Sequence, residues 1–384
     1  MMTEGMNRGA VLAAAEPFLL DLLKLRADDS AKAICEFCQN AFQSIPGLHL
    51  TQKVPGEVAG EFSMEFTWSG FGQEKPVYLH AWMDDLPYPT EGAVAPKVAD
   101  GYIWGSGAAA GKGGVAVLYG LMWELSHTYV RFPFDVKVHL TIGQRRGGKG
   151  CAALAAGAAD GQAVILMEPT ARNLVTRHVG SLWLKLVSTG VATHLSEVRA
   201  NPPKSAFEKM MDVLDALEAA HAEYAAEVKA DTDLKPYFNI GGFQSGVWVG
   251  APSPRAEANV AMTLVPSDKT APFVDRCMKM AADAEVEAAV LQSRAYGGSK
   301  ELPEVFRDLP ECMHKVRFSG WARGSEVPMD LSIYTEQAKI PAVAFGPCDP
   351  ASAATVREKI AGKALIDTVQ ALRYWLDKAG QHTV

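Results

Sequence analysis

The glycine-rich stretch GSGAAAGKGG, residues 105–114, decides the fold class because it joins an extended segment to a helix-like run. Glycine lets a chain turn sharply and approach neighbouring backbone closely. Before this stretch, residues 75–83 carry the β-branched and aromatic side chains typical of a strand and lead into a proline-rich loop, 86–96. After it, residues 114–127 have the pattern of a helix. The order strand, loop, helix is therefore predicted here.

The same alternation continues on both sides of the glycine-rich stretch. Strands that alternate with helices indicate a mostly parallel sheet covered by helices on both faces. The fold class is therefore predicted to be α/β. The remaining elements predicted for this part of the chain are helices at 9–26 and 29–44 and strands at 134–143 and 163–167.

The pattern changes in the middle of the chain and indicates a small inserted α+β domain. It predicts strands at 181–188, 238–250 and 256–265 and helices at 205–224 and 271–284. The first pattern then returns, with a buried strand at 340–345 and a long C-terminal helix at 355–378. We therefore predict one discontinuous domain, 1–179 with 297–384, and an inserted domain at 180–296.

Composition excludes several classes of function. The chain has 384 residues, 48% hydrophobic and 21% charged, with a formal net charge of -7. An acidic balance disfavours nucleic acid as the main partner. No apolar run approaches the roughly 20 residues of a membrane span, and the N-terminal residues lack the pattern of a signal peptide. A cytoplasmic location is expected.

The six cysteines, few for a chain of this length, are predicted to be buried small apolar side chains and not a disulfide framework. Cys35 and Cys38 form a CxxC inside a helix-like run, without the second CxxC of a typical zinc site. The glycine-rich stretch also fails as a phosphate loop, because only three residues separate Gly107 from Gly111 and Gly113 stands where a Ser or Thr is needed. Lys112 at the predicted helix start is a candidate to bind a ligand carboxylate.

Four segments, in order, resemble the M20 family of dizinc peptidases and deacylases, over nearly the whole chain. Residues 190–196, GVATHLS, resemble the histidine segment of that family's lid domain. The resemblance implies a catalytic domain with a zinc pair, and an inserted lid that makes a homodimer. The four segments are HAWMDDLP (80–87), DGYIWGSGAAAGKGG (100–114), TIGQRRGGKG (141–150) followed by LMEPT (166–170), and AVAFGPCDPASAATVREKI (342–360).

The family's metal chemistry is not preserved in these segments. Of the ligand positions only Glu168 keeps a ligand, while Gln144 stands at the general base and Asp84 keeps the aspartate that orients a ligand histidine. Indole can only donate a hydrogen bond, and an arginine carries a fixed positive charge. We therefore expect no zinc and no other cofactor. The five positions that the resemblance assigns to protein ligands are Trp82, Ala110, Arg145, Glu168 and Ala354.

The replacements also suggest how the vacated site is repaired. Arg145 is predicted to pair with Glu168 or Asp84, and Trp82 to fill the volume of the metals. The function predicted is then that of a non-hydrolytic M20 homologue. It would bind a peptide or an N-acyl amino acid in the cleft between its domains, in a biosynthetic pathway or as a scaffold for a partner enzyme. The residues predicted to contact the ligand are Trp82, Lys112, Gln144, Arg145, His194 and Arg357.

Two alternatives stay open at the level of sequence. The first is an active amidohydrolase with an unorthodox or single-metal centre that uses Asp84, Glu168, His80 and His194. The second is an interaction protein that acts through its lid. Each candidate also has a plainer interpretation, with Asp84 and Asp85 capping a loop, Glu168 as a strand-end residue and His194 as an ordinary loop histidine. His80, His139 and His178 are predicted to be structural, and Asp330 resembles an acidic family position without an assigned role.

Overall fold

The structure is a computed structural model of the chain that describes residues 6–26, 31–85, 94–194, 205–230 and 232–381. Most of the predicted loop 86–96 and the last two residues of GVATHLS lie outside the described residues. The chain divides into two compact units. The first unit comprises 1–177, 298–323 and 329–384, and the second 178–297 and 324–328. The main unit boundaries lie within two residues of the predicted ones, and the 324–328 segment was not predicted.

The helices and strands have the following bounds. The helices are α1 Arg8–Lys24, α2 Lys32–Gln43, α3 Gly111–Thr128, α4 Lys149–Ala155, α5 Ala206–Glu227, α6 Thr270–Asp283, α7 Leu309–Lys315 and α8 Gly362–Ala379. The strands are β1 Leu48–Pro55, β2 Phe62–Trp68, β3 Val77–Trp82, β4 Lys97–Ala99, β5 Tyr102–Trp104, β6 Val136–Thr141, β7 Ala163–Leu166, β8 Asn173–His178, β9 Gly180–Thr189, β10 Phe238–Ser245, β11 Arg255–Leu264, β12 Val286–Arg294, β13 Gly297–Gly298, β14 Ser319–Ser325, β15 Ala342–Ala344 and β16 Lys359–Ala361.

The first unit is built on a mixed sheet with the order β1-β2-β6-β3-β7-β15-β8-β13, and β14 also pairs with β8. Its centre, β6-β3-β7-β15, is parallel, while β1, β2 and β8 pair antiparallel. Every residue of β3 and β7 is buried, as expected for strands covered on both faces. The parallel centre brings the carboxyl ends of β3, β6 and β7 to one edge of the sheet.

The second unit is a four-stranded antiparallel sheet with the order β10-β11-β9-β12. Buried residues alternate along β9 and β11, so one face of the sheet packs against a core. Helices α5 and α6 pack on that face and form the core together with the sheet. Helix α5 begins at a capping box formed by Ser205 and Glu208. This is the inserted α+β architecture predicted from the sequence.

The predicted C-terminal helix began too early. Helix α8 starts at Gly362, and the residues before it form β16, which pairs with β5. Glu358 explains the difference, because its carbonyl accepts a hydrogen bond from Gly105 N at 3.2 Å and its carboxylate accepts one from Ala109 N at 3.0 Å. These two hydrogen bonds hold the residues before Gly362 against the glycine-rich stretch, so that the helix starts only after them.

All six cysteines are buried and none forms a disulfide. Burial raises the pKa of Cys35 to about 11 and raises that of Cys38 further, so neither is a reactive thiol. Within the described ranges, no helix has the length and apolar content needed to cross a membrane.

Candidate degenerate metal site

The carboxyl ends of three parallel strands and the start of one helix bring distant parts of the sequence together. Trp82 ends β3, Gln144 and Arg145 follow β6, and Glu168 follows β7. Gly111 is the first residue of α3. Ligands of open α/β sheets bind at this edge, so it is where a functional site is expected.

Trp82 and Glu168 form the central contact of the site. The indole Nε1 of Trp82 donates a hydrogen bond to Glu168 Oε2 at 3.0 Å. Both side chains are buried, at 3% and 4% exposure. Two residues that the sequence resemblance places at metal-ligand positions are therefore hydrogen-bonded to each other. The sequence predicted that Trp82 fills the site but did not predict this bond.

Gly111 makes room for the indole of Trp82. A Cβ atom at this position would lie 2.2 Å from Trp82 O and 2.4 Å from Trp82 Cε3, closer than real Cβ contacts allow. Only glycine fits beside Trp82 in this arrangement. The first turn of α3 and the end of β3 are thus packed directly against each other.

Asp84 lies in a buried pocket made by the turn after β6. Its carboxylate accepts hydrogen bonds from the backbone N–H groups of Gln144 and Arg145, each at 3.4 Å. Burial raises the pKa of Asp84 to about 6, and these hydrogen bonds together with the charge of Arg145 oppose the rise. Arg145 therefore contacts Asp84 through its backbone N–H and through its charge, whereas the sequence predicted a side-chain ion pair with Asp84 or Glu168.

Lys112 has an internal partner in place of the ligand carboxylate predicted for it. Its side chain is fully buried, and Nζ lies 2.8 Å from Asp85 Oδ1. The ammonium also donates a hydrogen bond to the Leu25 carbonyl. Desolvation lowers the pKa of Lys112, and the charge of Asp85 counteracts it. Asp85 therefore forms a buried ion pair with Lys112, which the plainer interpretation of Asp85 as a loop cap did not predict.

The remaining predicted residues differ in their exposure. Gln144 and Arg145 are half-buried, while Arg357 is exposed. His194 is also exposed and belongs to the second unit. Ala354 is half-buried with a left-handed φ of 54°, and Ala110 is buried.

The residues at the five ligand positions do not fit a zinc pair. Trp82 and the two alanines supply no lone pair, Arg145 supplies a positive charge, and the retained carboxylate is engaged by Trp82. In the part of the chain that the structure describes, one group of three metal-donor side chains occurs, and it contains neither Asp84 nor Glu168. These residues therefore give no basis for a zinc-bound water at this site.

Two histidines of the strands, His139 and His178, are completely buried. His139 Nε2 lies 3.0 Å from Glu65 Oε2, and its Nδ1 lies 2.8 Å from the Tyr334 hydroxyl. His178 Nδ1 contacts the Val179 carbonyl at 2.6 Å, and burial lowers its pKa to about 4. Both are internal, hydrogen-bonded residues, which agrees with the structural role predicted for them.

Sequence comparison identifies one domain of the chain. Residues 176–289 match the family model of the M20-type peptidase dimerisation domain. This segment coincides with most of the second unit. No curated protein shows significant sequence similarity to the chain.

Solved structures share the fold of the whole chain. A tripeptidase from Staphylococcus aureus is 16% identical, with a TM-score of 0.74 over 98% of this chain and 100% of its own. The dipeptidase Dug1p from Saccharomyces cerevisiae is 12% identical, with a TM-score of 0.77 over 99% and 100%. An M20 family metallo-carboxypeptidase from Sulfolobus solfataricus is 15% identical, with a TM-score of 0.74 over 95% and 99%. The chain has the fold of the M20 peptidases and carries their dimerisation domain.

Proposed function

We propose that this chain is a non-hydrolytic homologue of the M20 peptidases that binds a peptide or an N-acyl amino acid. The observation that carries the proposal is the hydrogen bond from Trp82 Nε1 to Glu168 Oε2. A metal ligand must present a lone pair to the ion, whereas this carboxylate oxygen accepts a hydrogen bond from a buried indole N–H. The indole N–H thus engages one oxygen of this carboxylate without a metal ion.

The neighbouring substitutions support the same proposal. Hydrolysis needs a base that takes a proton from water, and the amide of Gln144 has no such basicity. The fixed charge of Arg145 repels a divalent ion, and it lies close enough to Asp84 to oppose the rise in pKa that burial imposes on that carboxyl. Two zinc ions also need a bridging carboxylate, for which Ala110 offers nothing.

A carboxylate-bearing ligand is the class that the remaining groups favour. The half-buried Arg145 and the exposed Arg357 are cationic, and a guanidinium binds a carboxylate through two parallel hydrogen bonds. The structural neighbours are described as a tripeptidase, a dipeptidase and a carboxypeptidase. A peptide or N-acyl amino acid with a free carboxylate is therefore the proposed ligand, and a cytoplasmic location belongs to the same proposal.

The second unit favours an additional role in assembly. Its edge strand β10 exposes Ile240 and Phe243, and the adjoining helix α5 exposes Phe207 and Met211. The rings of Phe207 and Phe243 are in edge contact, with centroids 5.8 Å apart. An open strand edge beside exposed apolar side chains is a surface for pairing. We propose that it forms a homodimer, and that a partner enzyme would be engaged by the assembled dimer.

Zinc binding and hydrolysis test the proposal together. We expect the purified chain to hydrolyse no member of a panel of dipeptides, tripeptides and N-acyl amino acids, with or without added zinc. Any zinc that it holds should be unaffected by Glu168→Gln. Hydrolysis that requires zinc and is abolished by Glu168→Gln would overturn the proposal in favour of the single-metal alternative.

Ligand binding is measured by calorimetry with the same panel. Arg145→Gln should weaken binding of a carboxylate ligand by roughly tenfold or more, the value of a charge-assisted hydrogen bond. Arg131→Gln removes an exposed arginine that follows α3 and serves as the matched control. Equal affinities of the two variants would exclude Arg145 as the carboxylate contact.

A further inference from the structure

Three metal-donor side chains meet in the core of the first unit, outside the positions already described. His80 lies on β3, Cys151 on α4, and Asp330 precedes β15. One donor atom of each lies within 4.8 Å of the other two, and His80 Nε2 is 3.8 Å from Asp330 Oδ2. Tetrahedral ligands at the usual bond lengths stand roughly 3.3–3.8 Å from one another. Small side-chain shifts would bring the three atoms to a common ion.

This cluster is distinct from the degenerate site. His80 and Trp82 are two residues apart on β3, so their side chains leave the same face of the sheet, separated by one strand repeat of about 6.6 Å. None of the five positions that resemble family ligands contributes to the cluster. The cluster therefore lies one step further into the sheet than the Trp82–Glu168 contact.

Charge balance favours an ion at the cluster. All three side chains are completely buried. A thiolate and a carboxylate exactly neutralise a divalent cation, while a neutral imidazole adds a third ligand without charge. Without a metal ion, a neutral His80 is held by the Thr141 hydroxyl and the Cys151 thiol by Tyr334, whereas a charged His80–Asp330 pair would place two ionised groups in the core at a separation of 3.8 Å.

The surroundings supply the support that a metal site needs. Thr141 Oγ1 lies 2.9 Å from His80 Nε2 and fixes the orientation of the imidazole. The ring of Tyr334 packs edge-on against His80, with centroids 5.7 Å apart. Gly148, which precedes α4, leaves room for the carboxylate, because a Cβ there would lie 2.4 Å from Asp330 Oδ1. The pocket is closed, as structural metal sites are.

We propose that His80, Cys151 and Asp330 bind a single zinc ion that stabilises the first unit. The ligand types select zinc over magnesium or calcium, which prefer oxygen donors alone. Because the site is enclosed, the ion enters as the chain folds and leaves only when the unit opens. The site is structural and holds no open position for a substrate.

Elemental analysis and cobalt substitution test this site. The chain, unfolded in chelator and refolded with zinc, should retain one zinc per molecule after exhaustive dialysis. Refolded with cobalt, it should show the near-ultraviolet charge-transfer band of a cobalt–thiolate bond. Cys151→Ser should lose that band and bind the metal more weakly by more than roughly tenfold. Cys348→Ser, a matched change at another buried thiol, should behave like the unchanged chain.

The outcomes separate this inference from the proposed function. A refolded wild-type chain that holds no zinc and shows no cobalt–thiolate band overturns the inference and leaves the proposed function intact. Zinc that persists in Cys151→Ser but is lost in Glu168→Gln overturns both. If Cys151→Ser fails to fold, Asp330→Asn takes its place and should weaken cobalt binding, and a wild-type chain without the band overturns the inference in any case.

Discussion

At the residue scale, the chemical types of the site residues could be read from the sequence, and the contacts between them could not. Residue types alone show that Trp82 and Ala110 cannot bind zinc. The bond between Trp82 and Glu168 depends on the packing of β3 against β7 and on the absence of a side chain at Gly111. Charge was the only criterion available for Arg145, so the sequence left both Glu168 and Asp84 open as its partner; in the structure the backbone N–H of Arg145 donates a hydrogen bond to Asp84 Oδ2.

The buried carboxyl of Asp84 should make stability depend on pH. Its pKa is raised from 3.8 to about 6, so the folded state favours the protonated form. The contribution of this group to the free energy of unfolding is fully present below pH 3.8 and is lost as the pH rises toward and through 6. The loss is on the order of 3 kcal/mol. Asp84→Asn should remove this pH dependence. In urea unfolding, the free energies of unfolding at pH 4 and at pH 7 should therefore differ less in the variant than in the unchanged chain.

Asp275→Asn, a change at an exposed carboxylate on α6, is the control and should follow the unchanged chain. A pH dependence that is identical in Asp84→Asn and in the unchanged chain would mean that Asp84 ionises normally in the folded state.

At the element scale, long periodic segments were predictable and short or non-local ones were not. Helix α5 and the paired strands β9 and β11 carry clear patterns and lie close to their predicted positions. The start of α8 was wrong, because Glu358 is held by the backbone of the glycine-rich stretch, a contact across 249 residues of sequence. Strands β1 and β2 were not predicted, although their pairing builds one side of the sheet.

Two glycines at corresponding helix positions provide a matched test of packing. Gly111 and Gly362 are the first residues of α3 and α8. A Cβ at Gly111 would lie 2.2 Å from a backbone oxygen, whereas at Gly362 the nearest atom is 3.5 Å away. Gly111→Ala should destabilise the chain by about 3 kcal/mol or prevent folding, as overpacking against backbone does.

Gly362→Ala should be neutral or stabilising by up to about 1 kcal/mol, because alanine favours the helix and restricts the unfolded chain. Denaturant midpoints compare the two variants directly. Equal midpoints would show that α3 shifts away from Trp82 at little cost.

At the scale of the whole molecule, the two units divide structural roles. The first carries the Trp82–Glu168 contact and the His80–Cys151–Asp330 cluster, and the second carries the segment that matches a peptidase dimerisation domain. Fold class and the inserted domain were predictable, because the change from one pattern of strands and helices to another extends over a hundred residues. The exposed apolar side chains of β10 became evident only when the sheet order placed that strand at an edge.

The edge of β10 should control the oligomeric state. Ile240→Lys places a charge on this apolar surface and should weaken the dimer by at least roughly tenfold, as measured by sedimentation velocity over a range of concentrations. Val290→Lys makes the same change on β12, the opposite edge strand, at a similarly exposed position. A monomeric unchanged chain, or equal effects of the two variants, would exclude β10 as the interface.

The distribution of the six buried thiols gives each unit its own chemical reporter. Cys277 belongs to the second unit, and the other five belong to the first. Burial raises the pKa of Cys277 and Cys312 to about 11, so an alkylating reagent meets little thiolate until the surrounding core opens. Pulsed alkylation followed by mass spectrometry would therefore time the opening of the two units separately in the unmodified chain. It would show whether they unfold together or in turn.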